Sequence, residues 1–251
     1  MSNIQITENE SGKYSPEWFY NEAQKPEWIA FIRKADTLHE NFINHFGIEH
    51  LKSLSGKELL TSLFYNDKGN KLNLCYVLEM DKDMREIFGS IAGGAAYKFG
   101  LFFHKKTQSW TCGSPAKPVK LTENEAIQKA EEIRNDLVAG AEIISSFGPL
   151  NSTADYEQLY KQLEHISGIN TVWRMKYYQM LFPILFAPFY GQDIQLDVLH
   201  FLNQTPSEIP FIRMGQIALF SKKCNIPGIV FGHIWGRSTN HNNKSNDSET
   251  N

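Results

Sequence analysis

The stretch from Thr122 to Gly148 constrains this chain most. Thr122-Glu-Asn-Glu125 has the spacing of a capping box, in which a hydroxyl and a carboxylate three residues apart satisfy each other's backbone N–H groups. Ile127, Ala130, Ile133, Leu137, Ala141 and Ile144 follow at steps of three and four, and Gly148-Pro149 stops the pattern. A helix over about 123–146 with one apolar face needs other elements to cover that face. The chain must therefore build a multi-element core.

Further helical patterns lie on both sides. Between Pro16 and Phe46, Trp18 and Phe19 begin one helix and Pro26 starts a second as its first-turn residue. Trp28, Ile29, Ile32, Ala35, Leu38, Phe42 and Phe46 then recur on one face up to Gly47, a C-cap residue. Ser55 is placed to cap a helix over about 56–64. Downstream, the spacing predicts helices near 153–166, 172–182, 192–203 and 212–224, with Pro183 ending the second of these.

The middle reads differently. Asn66-Asp67-Lys68-Gly69-Asn70 is turn chemistry. After it Leu72, Leu74, Tyr76 and Leu78 alternate with Asn73, Cys75 and Val77, the period of a strand. Tyr97–Phe103 reads as a second strand, residues 105–109 as a turn and Trp110–Cys112 as the returning strand. The glycines at 89, 93, 94 and 100 serve either a tight turn or a loop that approaches a ligand closely.

The expected class is therefore α+β: a helical N-terminal part, a small antiparallel β-sheet in the middle and a mostly helical C-terminal half. The expected organisation is a flexible segment 1–14, an α+β unit 15–150, a helical aromatic-rich region 151–236 in the same or a separate domain, and a low-complexity tail 237–251 without fixed structure.

Several functions find no chemistry here. Three scattered cysteines, Cys75, Cys112 and Cys224, make no C-x-x-C pair, which argues against a disulfide framework or zinc site and fits a reducing cytoplasm. The longest apolar run, Met180–Tyr190, is broken by Pro183 and Pro188 and too short to span a membrane. The nearest text to a phosphate-cradling loop, Ser55-Gly56-Lys57, lacks the upstream glycine and the following hydroxyl. His39, His45, His50, His165, His200 and His233 form no triad or ligand spacing, and Glu131-Glu132 reads as a solvated pair. The expectation is a protein with no catalytic residues, no metal and no cofactor.

One electrostatic feature stands out in a chain of net charge −3. No Asp or Glu lies between Glu86 and Glu123, while Lys98, Lys105, Lys106, Lys117 and Lys120 fall in that window with Tyr97, Phe99, His104 and Trp110. Lysines beside aromatics on a hairpin suit phosphate contact and base stacking; equally, lysines protect an edge strand from aggregation. If a modified base is read, a pocket must hold it by stacking and edge hydrogen bonds. A second basic–aromatic group is Trp173, Arg174, Lys176 and Tyr178, either a protein-interaction surface or a core helix with two surface cations.

Four strings occur together in order: Phe88-Gly-Ser-Ile-Ala-Gly-Gly-Ala-Ala-Tyr-Lys-Phe-Gly100, Ala130-Glu-Glu-Ile-Arg-Asn-Asp-Leu137, Trp173-Arg-Met-Lys-Tyr-Tyr-Gln-Met-Leu-Phe-Pro183 and Arg213-Met-Gly-Gln-Ile-Ala218. Over residues 16–236 this resembles the N-terminal region of McrB-like AAA+ proteins of bacterial type IV, modification-dependent restriction systems. The resemblance implies a DNA-recognition part that works with an AAA+ motor and a nuclease subunit. No Walker motif follows residue 236, so the family's NTPase activity does not carry over. The alternative expectation is a module that docks a partner subunit or senses a phage component.

Overall fold

The computed structural model describes residues 14–64, 72–93 and 96–248, with side chains to 239. The turn expected at Asn66–Asn70 lies outside the described residues, as does Gly94 of the glycine cluster.

The N-terminal helices are α1 (Pro16–Ala23), α2 (Pro26–Phe46), α3 (Ile48–Ser53) and α4 (Gly56–Leu63). Pro16 and Pro26 sit in the first turns of α1 and α2, where the missing N–H costs nothing. In α2, Trp28, Ala35, Phe42 and Phe46 are buried, while Ile29 remains 56% exposed. Gly47 separates α2 from α3 because a Cβ there would stand 2.5 Å from the Ile43 carbonyl oxygen, so only glycine lets the chain turn this tightly. Ser55 occupies the N-cap position of α4, but its side chain makes no capping bond.

The expected strand at 72–78 is a helix, α5 (Leu74–Glu79), followed by α6 (Lys82–Phe88). Asn73 caps α5 by accepting from the Tyr76 N–H at 2.9 Å, and Asp81 caps α6 by accepting from the Met84 N–H at 3.0 Å. The alternation misled because a short apolar run buried on most of its surface has no diagnostic period. Leu74, Cys75, Val77 and Leu78 are all buried, whereas Leu72, which a strand would have placed on one face with Leu74 and Leu78, is 69% exposed.

Residues 97–103 also divide. Ala96–Phe99 form a 3₁₀ turn, η1, and Gly100 at φ +80° turns the chain into β1 (Leu101–His104). β1 pairs antiparallel with β2 (Ser109–Ser114), and β2 with β3 (Lys117–Leu121), a strand not expected from the residue pattern. In this order β1-β2-β3, the outer strand β3 is exposed along most of its length. The structure is thus mostly helical with one small antiparallel sheet among the described residues, the α+β class expected.

Helix α7 (Glu123–Ser146) carries the predicted capping box: Thr122 Oγ1 accepts from the Glu125 N–H and Glu125 Oε2 accepts from the Thr122 N–H. It packs on α3, α4, all three strands, α8 (Thr153–Leu163) and α9 (Val172–Leu181). Two helices are enclosed almost entirely. Every residue of α9 from Trp173 to Leu181 is buried, as are most residues of α11 (Pro210–Lys223), which packs on α1, α8, α10 (Gln192–Phe201) and α12 (Gly228–Ser248). The backbone of α12 runs on into the stretch whose composition predicts a tail without fixed structure. One cluster of buried hydrophobic side chains extends from Phe19 to Trp235 and crosses position 150 without a break.

Candidate functional site

The hairpin holds its charge outward. Lys105 and Lys106 lie in the β1–β2 turn, where the Gln108 amide donates to the Lys105 carbonyl at 2.7 Å and the Thr107 N–H donates to His104 Nδ1 at 3.3 Å. Thr107 and Ser109 join their hydroxyls at 2.9 Å, so the turn is pinned from both sides. Lys117 and Lys120 sit on β3 opposite Ser114 and Thr111. Three residues apart in a strand, they point to opposite faces of the sheet. Lys105, Lys106, Lys117 and Lys120 are exposed, and among the described residues none of them makes an ion pair.

The other residues of this group turn inward. Lys98 forms an ion pair with Glu79 and donates to the carbonyls of Ile91 and Gly93 at 2.9 Å each, and only 15% of its side chain is exposed. It fastens the glycine-rich loop and is not available to a phosphate backbone. Trp110 is 6% exposed and packs edge-on against Phe103, while Phe99 is 1% exposed. Neither ring can stack on a base from outside. Tyr97 is half-buried and meets Phe102 edge to face at 4.6 Å.

Trp173, Arg174, Lys176 and Tyr178 are all buried on α9. The Tyr178 hydroxyl donates to the Asp136 carbonyl at 3.2 Å, and burial raises its pKa above the ordinary phenol range. Lys176 donates from Nζ to the Gly89 carbonyl at 2.6 Å, with the amine 5.8 Å from the centre of the Tyr190 ring. Burial, aided by the like charge of Arg85, lowers its pKa to about 7. The Tyr190 hydroxyl donates to the next carbonyl back, that of Phe88. Tyr190, Lys176 and Lys98 together hold the carbonyls of Phe88, Gly89, Ile91 and Gly93. The glycine-rich loop is thus a structural segment tied down from η1, α9 and the connection before α10.

Members of the two predicted groups do meet in one place. Tyr97 and Lys98 of η1, Trp173 and Arg174 of α9, Lys129, Glu132 and Asp136 of α7, and Ser167, Gly168 and Thr171 of the α8–α9 connection line a cleft of about 450 Å³. Arg174 lies over the Trp173 ring, 5.2 Å from its centre, and donates from Nη1 to Asp136 Oδ2 at 3.3 Å. Gly168, at φ +68°, lies beside the guanidinium, where a Cβ would stand in ordinary van der Waals contact with its Nε at 3.5 Å. Sequence reasoning missed Asp136, Lys129 and the 167–171 connection. A signal for the fate of α9 was present, because Arg174, Lys176 and Gln179 interrupt a segment that is apolar all round, and polar groups in such a helix must find partners inside.

No three His, Cys, Asp or Glu side chains among the described residues are grouped to hold a metal, and no helix among them is long and apolar enough to cross a membrane. In comparisons with known proteins, the chain matches no protein-family model, no curated protein and no solved structure.

Proposed function

We propose that this chain is the DNA-recognition module of a bacterial anti-phage restriction system, acting in the cytoplasm beside an AAA+ motor and a nuclease subunit and contributing no catalytic residue of its own. The observation that carries the reading is the acid-free hairpin, with Lys105 and Lys106 exposed at its β1–β2 turn, Lys117 and Lys120 exposed on β3, and none of the four in an ion pair among the described residues. Such a surface suits the phosphate backbone, which supplies affinity and register. With Trp110 and Phe99 buried, base stacking on the hairpin is no part of it. Preference for a modified base must then come from side chains off the hairpin. The resemblance of four ordered sequence strings to McrB-like N-terminal regions supports the same reading.

The test is fluorescence-anisotropy binding to labelled duplexes, unmodified or carrying methylated or hydroxymethylated cytosine, over a salt series. Lys105→Ala/Lys106→Ala takes two cations away from the phosphate backbone. It should weaken binding at every sequence and reduce the slope of log K against log salt by about 2. Equal affinity and equal slope in the double variant would remove the hairpin from the interface. Absence of binding to any duplex at low salt would overturn the DNA reading itself and favour a partner-docking module.

A further inference from the structure

Arg174 is 5% exposed, yet it is only lightly committed. A guanidinium carries five N–H donors. Among the described residues, its hydrogen bonding consists of the one 3.3 Å bond from Nη1 to Asp136. The remaining donors border the cleft, where solvent or a ligand can meet them. The guanidinium also lies over the Trp173 ring and beside Gly168, with one end held by Asp136. A planar fork fixed at the wall of a cleft is the arrangement that recognises an oxyanion by paired hydrogen bonds.

The rest of the lining restricts the ligand further. A volume of about 450 Å³ lies in the range of small-molecule sites and is larger than a bare ion requires. Glu132 and the hydroxyls of Ser167 and Thr171 offer acceptors to a polyol, and the half-buried Tyr97 offers an aromatic rim. Lys98 leaves no free hydrogen-bonding site for the ligand, because its donors are taken by Glu79, Ile91 and Gly93.

We propose that the cleft between η1, α7 and α9 binds a nucleoside monophosphate, with its phosphate on the Arg174 fork, its sugar hydroxyls toward Glu132 and its base at Tyr97. This site is separate from the hairpin lysines and does not depend on the DNA reading. Asp136 positions Arg174 by holding one end of the fork.

Isothermal titration calorimetry of the full chain with nucleoside 5′-monophosphates, the matching nucleosides and inorganic phosphate tests the idea. The monophosphates should bind more tightly than either half alone. Arg174→Lys keeps the charge but not the fork, and should weaken monophosphate binding roughly tenfold or more. Because that residue is buried, the exposed Ser167→Glu serves as a second variant. It places a carboxylate at the mouth and should cause a similar loss with an unchanged unfolding midpoint. Lys105→Ala/Lys106→Ala should bind the monophosphates as the wild type does. The proposal is overturned if no monophosphate binds, if phosphate alone binds as tightly, if binding survives Ser167→Glu, or if it falls in the hairpin variant.

Discussion

Lys176 offers the most direct check on the interior, because its buried amine links folding to pH. In the folded chain its pKa is lowered from 10.5 to about 7, first by burial and then by the positive charge of Arg85, against the smaller attraction of Asp81. Below pH 7 the folded and unfolded chains both carry the proton. Between pH 7 and 10.5 only the unfolded chain keeps it, so stability rises with pH across that window. At pH 7 the folded amine is half protonated, and integrating the difference in bound protons from there to pH 9 gives about 2 kcal/mol of added stability. Lys176→Met keeps the length of the side chain and removes the titration. It also leaves the Gly89 carbonyl without its 2.6 Å donor, a loss of about 1–3 kcal/mol where the amine is neutral. Urea unfolding of both proteins at pH 7, 8 and 9 measures this. The wild type should gain about 2 kcal/mol more than the variant between the ends of the series. Parallel pH profiles would refute the reasoning, since every other group titrates alike in the two chains.

Other expectations follow from close packing and capping. Gly140→Ala puts a Cβ into the Tyr178 hydroxyl, and Gly215→Ala puts one into the Tyr156 ring; each should lower stability in thermal unfolding by about 1–3 kcal/mol or more. Thr122→Ala removes half of the α7 capping box and should cost about 1 kcal/mol in urea unfolding, with no change in the slope against denaturant. Tyr190→Phe strands the Phe88 carbonyl in the core at a cost of about 1–3 kcal/mol, and hydrogen exchange in the 88–93 loop should rise with it. Burial pushes the Cys224 thiol up to about 12, so Ellman's reagent at pH 8 should leave it unreacted until denaturant is added.

The long helices are set by local residue patterns. α2 and α7 were legible because a proline in a first turn, a capping box and a stripe at steps of three and four are local signals, each created by residues within one or two turns of one another. The β1–β2 hairpin was legible in outline for the same reason, as was the class of fold. The remaining segments took their form from contacts made on folding. Leu74–Glu79 carries a pattern that fits strand or helix, and burial among neighbours chose the helix that Asn73 caps. The fate of the charges was equally remote from local text. Lys98 looks like its neighbours Lys105 and Lys106 along the chain, but a carboxylate nineteen residues earlier and two loop carbonyls draw it inside. Arg174 and Asp136, thirty-eight positions apart, face one another only because α7 packs on α9. A run of lysines records how much charge a segment carries; which of those charges meet solvent is set by the Coulomb and desolvation energies of groups that folding alone brings together.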